Sequence, residues 1–166
     1  MPSIAGPSSP TADRPREKVS PRDPRLAGWR SFLTAYSMIT RQLDEELREE
    51  TGLSLFEYAA LLQLAEAEDR RLRMSELALG IVLTRSGVTR LVDRLERDGL
   101  VERGQCADDG RGSEAVLTQQ GLERLRAASK VHLRGIDDYY FSQVSEADQT
   151  VVSRAMEDVV EGLRQS

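Results

Sequence analysis

The sequence predicts a mainly α-helical fold interrupted by one small β-hairpin. Three observations carry this. Apolar residues recur every three to four positions over most of the chain after Pro24, the period of helices buried on one face. Between residues 100 and 117 the period changes, to two short β-prone runs that flank a stretch rich in Asp and Gly. All six prolines lie between positions 2 and 24, so no later helix is interrupted by one.

Residues 1–24 have no apolar period and read as a disordered, Pro-rich tail. The tail is mildly basic: Arg14, Arg16, Lys18, Arg22 and Arg25 stand against Asp13, Glu17 and Asp23. It reads either as a phosphate-contacting arm or as an inert solubilising segment. Residues 25–166 read as a single domain. A chain of 166 residues with 39% hydrophobic content can bury a sizeable core. The 31% of charged residues suits a helical, charge-rich surface.

The elements follow in order. Leu26, Trp29, Leu33, Tyr36, Ile39, Leu43 and Leu47 predict a long helix over 26–50, ended by Gly52. Ser54 and Glu57 form a capping-box pattern before a second helix over 55–67. A short strand is expected at Leu72, and Ser75 is expected to cap a short third helix, "ELALGI". Thr84 caps the fourth helix and Gly99 closes it. "LVERGQ" (100–105) and "SEAVL" (113–117) are the hairpin strands, with "CADDGRG" between them. Thr118 caps a fifth helix bearing Leu122, Leu125, His132 or Leu133, Ile136 and Tyr140. Ser145, with Asp148, caps a sixth bearing Val152, Ala155, Met156, Val159 and Leu163.

The fourth helix is the chemically informative one. The chain has net charge -5, yet this helix and its cap carry Arg85, Arg90, Arg94 and Arg97. At 100° per residue, Val88, Leu91, Val92 and Leu95 form a core-facing stripe. Arg85, Ser86, Thr89 and Arg90 are then exposed on its N-terminal half, as donors sized for base edges and phosphates. Gly87 costs about 1 kcal/mol against alanine inside a helix, so something is expected to approach it closely: a DNA backbone or a neighbouring helix. Alternating Arg and Asp also fit a solvated face with i,i+4 pairs. The context decides between these readings. A short helix, a tight link, a second helix with a polar N-terminal half and then a hairpin is the order of a winged helix-turn-helix. Arg111, between two glycines at the hairpin tip, could reach a minor groove. Residues 72–118 hold seven arginines against eight acids, so DNA binding there must rest on placement rather than bulk charge.

The stretch "LTRSGVTRLVDRLERDGLVERGQCADDGRGSEAVLTQQG" resembles the MarR family of bacterial transcription regulators, and the likeness extends over about residues 26–164. It implies a winged DNA-binding lobe over about 54–118 and dimerisation helices over about 25–50 and 119–164. It implies a homodimeric repressor on a palindromic DNA operator, relieved by a small aromatic or anionic effector. Thr84, Arg85, Ser86, Gly87, Thr89, Arg90 and Arg94 would form the recognition-helix surface. The wing pattern "DDGRG" would place Arg111 in the minor groove and let Asp109 brace the wing against a basic residue. Trp29, Tyr36, Tyr58 and His132 are candidate effector-pocket residues, although aromatics at helical spacing equally suit core and interface packing.

Other functions are less well supported by the residues. There is no phosphate-cradling Gly-rich loop, metal-ligand spacing or nucleophile elbow, so no enzyme and no cofactor are expected. His132 is the only histidine, which excludes a histidine-based metal cluster. Cys106 is the only cysteine; it excludes an internal disulfide framework and offers at most a redox-sensing thiol at the wing. With no apolar run of membrane length and no secretory h-region, the chain reads as cytoplasmic. The alternative to a DNA-binding regulator is a helical dimeric module whose winged lobe binds protein.

Overall fold

The computed structural model describes residues 19–81, 83–105 and 113–165. Its elements run α1 (Leu26–Thr51), α2 (Leu55–Glu66), a 3-10 turn, β1 (Arg71–Arg73), α3 (Met74–Ile81), α4 (Arg85–Arg97), β2 (Val101–Gln105), β3 (Ser113–Leu117), α5 (Gln119–Ile136), a π-helical turn and α6 (Glu146–Arg164). The mainly α fold with a small hairpin is as expected. The short strand at Leu72 completes the hairpin into a three-stranded antiparallel sheet, ordered β1-β3-β2. Leu72 sits opposite Ala115, and Val101 opposite Leu117.

Two compact units divide the described residues, one ending at Ala35 and the other beginning at Tyr36. In the first, the chain already turns before α1: the Asp23 amide donates to the Ser20 carbonyl at 2.9 Å and Leu26 to Asp23 at 3.0 Å. Hydrogen bonds from Arg25 hold the Asp23 carboxyl at about 2, well below its ordinary value. Trp29 stacks on Phe32 with ring centroids 5.8 Å apart.

The second unit holds the core. Leu47, Leu61, Leu64, Leu77, Val92 and Leu95 are fully buried and join Ala60, Val88, Leu100, Val101, Leu117 and Leu125 in one cluster. Polar links fasten its helices. The Leu55 amide donates to Asp44 at 2.7 Å, and Arg124 donates to the Thr51 carbonyl at 2.7 Å, capping the C-terminus of α1 from α5. Arg134 of α5 pairs with Glu50 of α1. Gly121 lets α5 enter against the sheet: a Cβ there would stand 2.1 Å from the Leu100 carbonyl oxygen.

The caps follow the sequence at four helices. Ser54 and Glu57 make a complete capping box, and Thr84, Thr118 and Ser145 each accept from the amide three residues on. Gly99, at φ +71°, closes α4 in the left-handed region that glycine adopts without strain. Ser75 is a correction. α3 begins two residues earlier than expected, at Met74, which puts Ser75 inside the helix, and the free amide before it, on Arg73, is taken by the Glu76 side chain at 2.9 Å. A carboxylate reaching back from the first turn has replaced the hydroxyl cap.

Candidate nucleic-acid interface

α4 is amphipathic in the way its spacing predicts. Val88, Val92 and Leu95 are buried and Leu91 is half-buried, while Thr84, Arg85, Ser86, Thr89 and Arg90 are exposed. The Thr84 hydroxyl accepts from the Gly87 amide at 3.1 Å and lies 3.3 Å from the Ser86 hydroxyl. The Thr89 hydroxyl donates to the Arg85 carbonyl at 3.0 Å, which leaves its oxygen free to accept. The result is a polar, cation-bearing helix start whose own backbone donors add to its positive end.

Gly87 is not explained by a neighbouring helix. A Cβ there would meet only its own cap among the described residues, 3.2 Å from the Thr84 hydroxyl and 3.6 Å from Leu83. The residue therefore keeps the cap hydroxyl seated and the outer side of the first turn low. Among the described residues, no neighbouring helix comes within 4 Å of that position.

The near-neutral charge count resolves once the pairs are known. Arg103 of β2 bridges to Asp93 and, at 3.3 Å, to Glu96, both on α4. Arg71 of β1 lies 3.7 Å from Glu114 of β3. Arg97 donates to the Asp93 carbonyl rather than pairing with its carboxylate. Arg85 and Arg90 make no ion pair among the described residues. Asp93, Glu96 and Glu114 thus have internal partners, while Arg85 and Arg90, on the helix's N-terminal half, have no ion pair among the described residues. The i,i+4 pairing of a merely solvated face is not what forms.

Arg94, which the sequence groups with the DNA-facing set, stays exposed on that side but also reaches α2. Its guanidinium donates to the buried Glu57 carboxylate at 3.2 Å. Neither this contact nor the Arg103 bridge is legible in the sequence: both join residues on different elements. Asp109, Arg111 and Cys106 lie outside the described residues. The strands that carry the wing are in place, with Arg103 opposite Ala115 and Gly104 opposite Glu114.

Two of the four effector-pocket candidates come together. Tyr58 is buried on α2, and its ring lies 4.4 Å from that of His132 on α5. The buried His132 Nδ1 has no hydrogen-bond partner among the described residues, and burial lowers the imidazole's pKa below its ordinary value. Trp29 and Tyr36 are exposed on α1. A hollow of about 280 Å³ opens elsewhere, between Met38, Ile39, Arg41 and Gln42 of α1 and Asp138, Tyr139 and Gln143. No group of residues able to hold a metal ion occurs among the described residues.

Known proteins share this architecture, with up to about a third of positions identical. A sequence model of the MarR family matches residues 51–112. The MarR family regulator Sco3205 of Streptomyces coelicolor, solved in complex with DNA, superposes with a TM-score of 0.79 at 34% identity, over 87% of this chain and 93% of that one. The transcriptional repressor YetL of Bacillus subtilis is 31% identical over 112 residues, 68% of this chain and 66% of its own length. The regulator PrsX of Escherichia coli is 33% identical over 91 residues, 53% of this chain; the match spans about half of that protein, 55%. At 34% identity over 93% of the DNA-bound Sco3205 chain, with the family's sequence model matched as well, the chain belongs to the MarR family of transcriptional regulators.

Proposed function

We propose that this protein binds double-stranded DNA as a homodimer and represses transcription until a small molecule releases it. The family is one of regulators and not of enzymes, and a relative of 34% identity has been solved on DNA. The observation that carries the reading is the N-terminal half of α4. It is capped, exposed and bears Arg85 and Arg90 with no internal counter-ion among the described residues. Arg85, Ser86, Thr89 and Arg90 read base edges in a major groove, while Thr84 and Gly87 let a phosphate approach the helix start. The wing adds Arg111 in the adjacent minor groove, braced by Asp109.

Dimerisation is supported by the exposed apolar stripes. Val152, Met156, Val159 and Leu163 of α6 are all at least 39% exposed, an arrangement that calls for another surface. A two-fold dimer matches a palindromic operator with half-sites about one helical turn apart. The contact between Tyr58 and His132 joins the lobe to α5 and is the place where an aromatic or anionic effector would act. No described helix is long and apolar enough to cross a membrane, which suits a regulator working in a bacterial cytoplasm.

The test is binding to the duplex selected by the wild-type chain from a random pool, beside a scrambled duplex. Arg90→Ala should lose about 1–3 kcal/mol on the selected sequence if it bonds a base edge. Unchanged affinity in a folded variant removes Arg90 from the interface. Failure of the wild type to bind any duplex at low salt removes DNA as the ligand and favours a protein-binding lobe.

A further inference from the structure

Glu57 does more than a capping residue needs. Its Oε2 accepts from the Ser54 amide and the Ser54 hydroxyl, both at 2.7 Å, which completes the capping box of α2. That task uses one carboxylate oxygen and can be done at the surface. Here the side chain is only 3% exposed, and its other oxygen, Oε1, accepts from Arg94 of α4 at 3.2 Å. A buried carboxylate is costly unless each of its oxygens is bonded, so the arrangement holds as a unit. Arg48 of α1 also feels the Glu57 charge, although its main partner is Asp44 at 2.8 Å.

The position of Arg94 gives the bond its consequence. It lies four residues after Arg90, about 40° round the helix, and so on the side that carries the free cations. The three buried residues of α4 form one apolar stripe, which resists tilting more than rolling about the helix axis. Polar tethers off that stripe resist roll: Arg103 of β2 holds Asp93 and Glu96, and Glu57 holds Arg94 nearer the free cations. Base readout needs donors held to within roughly 0.5 Å and 10–20°.

We propose that Glu57 is a positioning residue: through Arg94 it sets the roll of α4, and thereby the protein's discrimination between DNA sequences rather than its attraction to duplex DNA. This rests on the DNA-binding reading above. Non-specific attraction comes from cations near phosphates, a contact that needs no exact aim.

The experiment compares wild type, Glu57→Gln, Arg94→Ala and the double variant, as full chains, on the selected and scrambled duplexes over a range of salt. Gln at 57 still accepts from Ser54 but presents an amide donor to Arg94. Glu57→Gln should lower the selected-to-scrambled affinity ratio roughly tenfold. Scrambled-duplex affinity and the slope of log affinity against log salt should stay as in wild type. Arg94→Ala should lower the ratio similarly, and the double variant no further, because both remove one bond. Should Glu57→Gln unfold, the exposed Arg94→Ala carries the test alone. An unchanged ratio in folded Glu57→Gln would leave Glu57 as a cap only and overturn the proposal. So would an Arg94→Ala variant weakened alike on both duplexes, with a salt slope reduced by about one per half-site, which marks a direct phosphate contact. A wild type that binds both duplexes equally also overturns it, while one that binds neither takes the DNA-binding reading down as well.

Discussion

α4 and α6 are both amphipathic helices, and their apolar stripes meet opposite fates. In α4, Val88, Val92 and Leu95 are at most 1% exposed. In α6, no residue is buried, and Leu163 is 73% exposed. The same helical period therefore does two different jobs. The stripe of α4 is spent inside the chain, which leaves its polar face to meet a ligand. The stripe of α6 is itself the face on offer. Burying a Val, Leu or Met side chain is worth about 1.5–3 kcal/mol, so four such residues along one helix supply a substantial drive to associate.

The contrast can be broken most completely at α6. Met156→Asp with Val159→Asp should convert a particle of twice the 18.5 kDa chain mass into a monomer at micromolar concentration in the ultracentrifuge. Because neither side chain belongs to the core cluster, far-ultraviolet circular dichroism should still show a helical protein. A double variant that remains dimeric would place the partner surface elsewhere.

The complementary change lies in α4. Leu95→Ala should cost about 2–5 kcal/mol in denaturant unfolding, as the truncation leaves a cavity at a fully buried site. A loss below about 1 kcal/mol would mean that the α4 stripe is no better packed than that of α6.

A smaller effect is expected at the start of α4. Thr84→Ala removes the acceptor of the Gly87 amide and should cost about 0.5–2 kcal/mol. The loss should appear in chemical denaturation, and protection of the amides of the first turn against hydrogen exchange should fall with it. Equal protection in the variant would show that the cap bond does not hold this turn.

The smallest effect concerns pH. Burial lowers the His132 pKa, so the folded state favours the neutral imidazole and binds fewer protons than the unfolded chain below the ordinary value of 6.5. Stability from this group is full above that value and declines as pH falls from it toward the lower folded pKa. The melting temperature should therefore drop from about pH 7 to about pH 5.5, and His132→Gln should flatten the drop. An identical pH profile in the variant would separate His132 from it.

How much of this was legible in the sequence differs by kind of interaction. Helix ends were readable because a cap is a local event: Ser54, Thr84, Thr118 and Ser145 each bond an amide three residues away. Ser75 failed because Glu76, one residue on, could also reach a free amide, and local chemistry admitted both. The exposed face of α4 was readable because periodicity fixes which residues share a side. Arg94 sat on that side, and its bond to Glu57 was invisible because that partner lies 37 residues earlier, on another helix.

By itself, then, the sequence determined the order of the elements, their caps and the two faces of each helix, since these depend on residues within a turn or two of one another. Tertiary structure alone decided which charges remain free. Asp93 and Glu96 could have neutralised the arginines of their own helix, but the packing of β2 against α4 brings Arg103 to both acids. Folding likewise brought the Glu57 carboxylate to Arg94. Charge pairing acts through space at a few ångströms, and a linear pattern carries no record of which distant side chain will arrive within that distance.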